Sequence, residues 1–255
     1  MGSRLFVLEG PALETSISPE ATTLPTKHSA LLEIIDLARE RERALVDSLD
    51  ADARTAVGTV EHWAPKDHFA HLATWAAYQA RRLEAAATGN TPTQPADNDT
   101  VFLERRDEPW EAIWADLMRA LDDNAAGVMR ISDEKLTALN PNGRSLFTLT
   151  LNNTYLHPIT HVAQIYEERG DGASAEQVQQ EAVTTMARLF GKDDQYANAV
   201  YSLGCYYALH GRSAEAITQV REALAVNPKL TDPIKEDVDL VSLHDLPEYQ
   251  ALFTA

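Results

Sequence analysis

LNNTYLHPITHVAQIYEERGD, residues Leu151–Asp171, is the stretch from which the fold is most readily read. With the residues before it, it makes a helix from about Leu146 to Glu168, closed by Gly170-Asp171-Gly172. Pro158 lies inside it, lacks a donor N–H, and predicts a kink or a later helix start. His157 and His161 stand four residues apart, so a helix puts both imidazoles on one face.

Working towards the N-terminus, Asn140-Pro141-Asn142-Gly143 is a turn. A third helical stretch, about Thr100 to Met129, is interrupted at Pro109 and buries Trp110, Ile113, Leu117 and Leu121. Residues 89–99, GNTPTQPADND, have linker chemistry. Before them a helix starts at Trp63-Ala64-Pro65-Lys66-Asp67, with proline at its first position, and runs past His71 and Trp75 to Gly89. From Lys27, Leu31, Ile34, Ile35, Ala38, Leu45 and Leu49 form an apolar stripe, and Glu33, Arg39, Glu40 and Arg43 lie off it. Four amphipathic helices joined by loops describe an all-α bundle over residues 26–172, preceded by a flexible tail over 1–25.

Beyond Asp171 the pattern changes. Val200, Leu203, Gly204, Tyr207, Ala216, Val220, Ala223 and Pro228 reproduce tetratricopeptide spacing in one register, with Val200 and Val220 in place of the usual aromatic residues. One unit cannot bury its own faces. The helix at about 175–190 and the tail from Pro233 to Phe253 are expected to cover it. Residues 173–255 therefore form a small tetratricopeptide-like segment, suited to self-association or a protein partner.

The chain has 255 residues, 44% hydrophobic and 24% charged, the balance of a folded globular protein. A net charge of −17 argues against nucleic acid and against an anionic membrane surface. The single cysteine, Cys205, excludes an intramolecular disulfide and a cysteine-rich zinc site. No apolar run is long enough to span a membrane, and Met1–Leu24 carries no signal-peptide core, so a cytoplasmic location is expected.

Histidine carries the chemistry. His157 and His161 can offer two ligands to one ion, or be a chance pair; a third ligand must come from elsewhere, and the second helix offers His71, with His68 three residues earlier. Three neutral imidazoles suit zinc, nickel, iron or copper rather than calcium or magnesium. They leave a position for water, a thiolate or another ligand, unless Asp67, His68 or Glu168 closes the site. His28, His62, His210 and His244 read as surface residues, Trp63, Trp75, Trp110 and Trp114 as core, and Cys205 as a small buried hydrophobe.

Thr26–Glu40 (TKHSALLEIIDLARE), His62–Trp75 (HWAPKDHFAHLATW) and Leu151–Asp171 together resemble the DinB-like superfamily, in its ClbS/DfsB-type branch. The resemblance covers about residues 26–171. It implies a four-helix bundle whose second-helix histidine and last-helix HxxxH pair bind a divalent metal, here His71, His157 and His161. Zinc or nickel is the expected ion. The implied activities are metal-dependent hydrolysis and thiol transfer on small electrophiles, with a low-molecular-weight thiol as cosubstrate, in stress or toxin protection. No catalytic residue is assigned. Pro158 departs from that pattern, and a displaced His157 would leave His68 as the substitute ligand.

Overall fold

The computed structural model describes residues 25–90 and 92–254. They are helical throughout, without a strand among the described residues. One isolated bridge, Leu139 to Ser145, closes the turn after Asn140. The 1–25 tail lies almost wholly outside the described residues.

Helix α1, Lys27–Ser48, begins where the Thr26 side chain accepts from the Ser29 N–H. Its stripe residues Leu31, Ile34, Ile35, Ala38 and Leu45 are buried. After the short α2, Ala51–Thr55, an irregular loop leads to α3, Pro65–Thr88, which ends at the left-handed Gly89. Pro109 splits the third stretch into α4, Asn98–Arg105, and α5, Trp110–Arg130. Helices α3 and α5 come close at Gly127, where a Cβ would lie 2.8 Å from Leu83 Cβ, so only glycine permits that approach. Arg105 straps the two helices from outside, donating to Ala70 O and Thr74 Oγ1 on α3 and pairing with Asp116 on α5.

The fourth bundle helix is composite. After α6, Asp133–Thr137, comes α7, Leu146–Leu151, then a π-turn over Asn152–Leu156, then α8, His157–Glu168. A new α-helical segment begins at His157 with Pro158 at its start, the later helix start that the sequence predicts. In the π-turn the His157 N–H bonds the carbonyl of Asn152, five residues back, which widens the backbone immediately before the proline. The strain of Pro158 is absorbed one turn early, and α8 continues with proline in its first turn, where no N–H is needed.

Helix α8 and the three helices after it make two helix pairs. Helix α8 packs on α9, Gly172–Phe190, which packs on α10, Asp194–Leu209, and α10 packs on α11, Ser213–Val226. Gly204 lets α10 and α11 close up, since a Cβ there would sit 3.3 Å from both Gln219 Cβ and Val220 Cγ2. Val200, Leu203, Tyr207, Ala216, Val220 and Ala223 are all buried. Helix α12, Thr231–Glu236, a 3-10 stretch at Val238–Leu243 and α13, Pro247–Gln250, cap the end. Ile234, Leu240, Leu243 and Tyr249 are their buried anchors. One continuous apolar cluster joins Leu31 on α1 to Leu243 at this cap.

Candidate metal centre

The centre sits between α3 and α8. Positions 68 and 71 share a face of α3, and 157 and 161 share a face of α8, so four imidazoles meet across the interface. His71 Nε2 lies 3.3 Å from His157 Nε2, and His161 Nε2 lies 2.9 Å from His157 Nε2. One ring nitrogen from each of His71, His157 and His161 falls within 4.8 Å of the others. The π-turn therefore leaves His157 aimed at His71 and His161 rather than away from them.

Three nitrogens turned on one another are poorly satisfied by hydrogen bonding alone. A neutral imidazole has one N–H and one lone pair on different nitrogens, so the Nε2 of His157 either donates to one of its two neighbours or accepts from one, and the second contact goes unsatisfied. A shared cation resolves this. Nitrogens ~2.1 Å from one ion sit roughly 3–3.4 Å apart at right-angle to tetrahedral geometry, close to the two spacings that His157 makes, and the His71 and His161 nitrogens lie within 4.8 Å of each other. The donor set fits a divalent transition ion.

Burial prepares the rings for that role. It holds His68 down at about 4, and His71 at about 3 with further help from the neighbouring His157 and His68. Burial also lowers His157, and it takes His161 well below the usual histidine range, with His157, His68 and His71 adding repulsion. All four are neutral at pH 7, the state in which imidazole offers a lone pair.

His68 takes a place the sequence left open. Its Nδ1 lies 2.9 Å from His161 Nδ1, the ring nitrogen of His161 other than the one that meets His157. It thus orients His161 from behind, the outer-shell relation common for metal-bound histidines. Buried His68 Nε2 and His71 Nδ1 have no hydrogen-bond partner among the described residues. Asp67 is committed elsewhere: its Oδ2 accepts from Gly58 N at 2.7 Å and Ala64 N at 2.9 Å, fastening the loop before α3. At Gly58 a Cβ would fall 2.1 Å from the His62 carbonyl, so that loop needs glycine. Glu168 lines an opening shared with His68 and His161, its carboxyl raised by burial and drawn back by His62.

Two tryptophans taken for core belong to this centre. Trp63, held by the Asp67-fastened loop, stacks on His161 with centroids 6.0 Å apart and planes at 13°, and also meets His68 and His71. Trp75 flanks His71 at 6.1 Å. Trp75 follows His71 by four residues, a spacing that puts both on one face of α3, whereas Trp63 lies in the loop before the helix and carries no such signal. Trp110 is core, edge-on to Phe69. His28 bonds Ile131 O and Asp133, and His210 joins the repeat to the bundle through Glu167.

Fold and site together define an all-helical protein with a buried histidine cluster in a bundle and a helical-repeat region at its C-terminal side. A family model described as tetratricopeptide repeat matches residues 152–229, a span that begins in the π-turn and takes in α8 to α11. The region is thus tetratricopeptide-like over two helix pairs, the first of which includes the histidine-bearing α8. Such repeats commonly mediate protein–protein interaction. No curated protein and no solved structure matches the chain. No helix among the described residues is long and apolar enough to cross a membrane.

Proposed function

We propose that the chain is a divalent-metal protein whose centre, ligated by His71, His157 and His161, acts on small molecules. The observation that carries this is the convergence of their ring nitrogens, 2.9 and 3.3 Å from His157, in a partly buried, neutral site where His71 is buried and His157 and His161 are half-buried. Zinc or nickel suits three imidazoles. When bound, such an ion supplies Lewis acidity and lowers the pKa of water or a thiol at its free position. His68 orients His161, and Trp63 stacks on the His161 ring at the opening that also carries Glu61 and Glu168. The DinB-like resemblance agrees with this ligand set and suggests hydrolysis or thiol transfer on small electrophiles, with a low-molecular-weight thiol as cosubstrate.

The deciding experiment is elemental analysis of untagged protein beside His161→Ala after dialysis against a weak chelator. About one ion per chain, lost in the variant, is expected. Failure of the wild type to take up zinc or nickel on reconstitution refutes the reading.

A second reading is favoured by the repeat match over residues 152–229: an interaction or self-association protein using the C-terminal segment. Leu209, Val238 and Val241 there are large apolar residues left 64%, 80% and 64% exposed, as a contact face would be. Sedimentation of wild type beside a Leu209→Lys/Val241→Lys variant separates the readings. A dimer lost in the variant supports self-association, and a monomer in both removes it.

A further inference from the structure

The histidine cluster has two openings of opposite chemistry. One, about 310 Å³, lies beside His68 and His161 and carries Glu61 and Glu168. The other, about 400 Å³, reaches His157 from the far side, between α7, the π-turn and α10. That second cavity has no carboxylate among its lining residues, in a chain of net charge −17. Its one charge is the guanidinium of Arg144. Arg39, Arg105 and Arg212 are held in ion pairs. Arg144 bonds through its backbone to Asn140, and its guanidinium has no partner among the described residues.

The remaining wall is made of neutral donors. Asn152 comes from the π-turn, and Gln195 and Asn198 come from α10, together with Ser202. Gln195 is only 8% exposed, yet its side-chain amide has no hydrogen-bond partner among the described residues. Its amide atoms meet the solvent of the cavity, where a ligand or ordered water can take their hydrogen bonds. The volume is that of a small-molecule pocket.

We infer that this cavity binds a small carboxylate-bearing substrate, its carboxylate on Arg144 and its other end at His157. The inference rests on the metal reading above and gives it a substrate class. A planar guanidinium matches a carboxylate in bidentate geometry, and the amides of Asn152, Gln195 and Asn198 hydrogen-bond the body of the molecule. Since two of these amides lie on α10, the repeat region is a wall of the site and contributes to specificity. The opening near Glu61 and Glu168 repels anions and is left to solvent.

The test uses the full chain loaded with cobalt(II), whose visible spectrum reports its ligands. Three thiols share a metal-seeking head and differ at the far end: 3-mercaptopropionate, 2-mercaptoethanol and cysteamine. Wild type is expected to bind 3-mercaptopropionate at least ~10-fold more tightly than 2-mercaptoethanol, with cysteamine weakest, a margin typical of one charge-assisted contact. Arg144→Gln should erase that preference and leave 2-mercaptoethanol binding unchanged. Asn198→Ala should weaken 3-mercaptopropionate about threefold. Equal binding of the three thiols, or a preference that survives in Arg144→Gln, overturns the inference. Tightest binding by cysteamine also overturns it and moves the substrate to the acidic opening. Calorimetry with 3-mercaptopropionate on metal-free protein distinguishes the two readings. Arg144-dependent binding by a chain that takes up no cobalt sustains the anion pocket and refutes the metal. Cobalt uptake without a charge preference does the reverse.

Discussion

His68, His71, His157 and His161 share a buried space in which a proton on any one ring is costly. Burial is the main cause for each, and the mutual repulsion of the rings adds to it for His71 and His161. In the unfolded chain the same rings titrate near ~6.5. Above that pH both states keep them neutral and they contribute nothing to the pH dependence. Below it the unfolded chain takes up protons that the folded chain refuses, so stability falls as pH drops from about 6.5 towards the folded values of about 3 for His71 and about 4 for His68. His71 and His68 each contribute up to ~1.4 kcal/mol per pH unit within their own windows, and His157 and His161 act in the same direction. Urea midpoints of metal-free protein should therefore fall between pH 7 and pH 5, and His71→Asn should flatten the fall. Parallel curves for the two proteins would contradict the assignment. The histidines themselves were legible because i, i+4 spacing is a local property. The relation of His68 to His161 was not, because it depends on which ring nitrogen faces the neighbouring helix.

The composite helix from Leu146 to Glu168 shows what an element adds to its residues. Pro158 was readable as a disturbance, but its accommodation was not, since the π-turn draws support from a helix about 70 positions away. Gln79 on α3, fully buried, donates to Thr150 Oγ1 at 2.8 Å and accepts from Asn153 Nδ2 at 3.3 Å. Thr150 lies in the last turn of α7 and Asn153 in the π-turn, so Gln79 pins the backbone that aims His157. Gln79→Leu leaves Asn153 without this partner and should cost about 1–3 kcal/mol in urea denaturation. It should also loosen zinc binding several-fold in competition with a chromophoric chelator, although Gln79 is no ligand. Unchanged zinc affinity in a destabilised variant would mean that the π-turn holds its shape without α3. The boundaries near Pro65, Pro109 and Gly170 were legible for the opposite reason: proline and glycine write helix ends locally.

At the scale of the whole molecule, the question is whether bundle and repeat behave as one body. The sequence suggested a division near residue 172, because the apolar pattern changes to repeat spacing there. Helix α8 nevertheless packs on α9, α9 on α10, and one apolar cluster spans both sides. The chain carries its own reporters for each part. All four tryptophans, Trp63, Trp75, Trp110 and Trp114, lie in the bundle, and the single thiol, Cys205, lies buried in α10. Burial, with Asp237 and Asp239 nearby, pushes that thiol far above the usual cysteine range, so it reacts only after the repeat opens. Tryptophan fluorescence and Cys205 labelling by a disulfide reagent, followed along one urea gradient, should give coincident midpoints. Zinc bound at His71, His157 and His161 should then protect Cys205 as strongly as it protects the tryptophan signal, because a ligand stabilises every part of a cooperative unit equally. Labelling at lower urea than the fluorescence change, with no response to zinc, would make the repeat an independently unfolding body, and the wall that α10 lends to the cavity at His157 would then be a movable one.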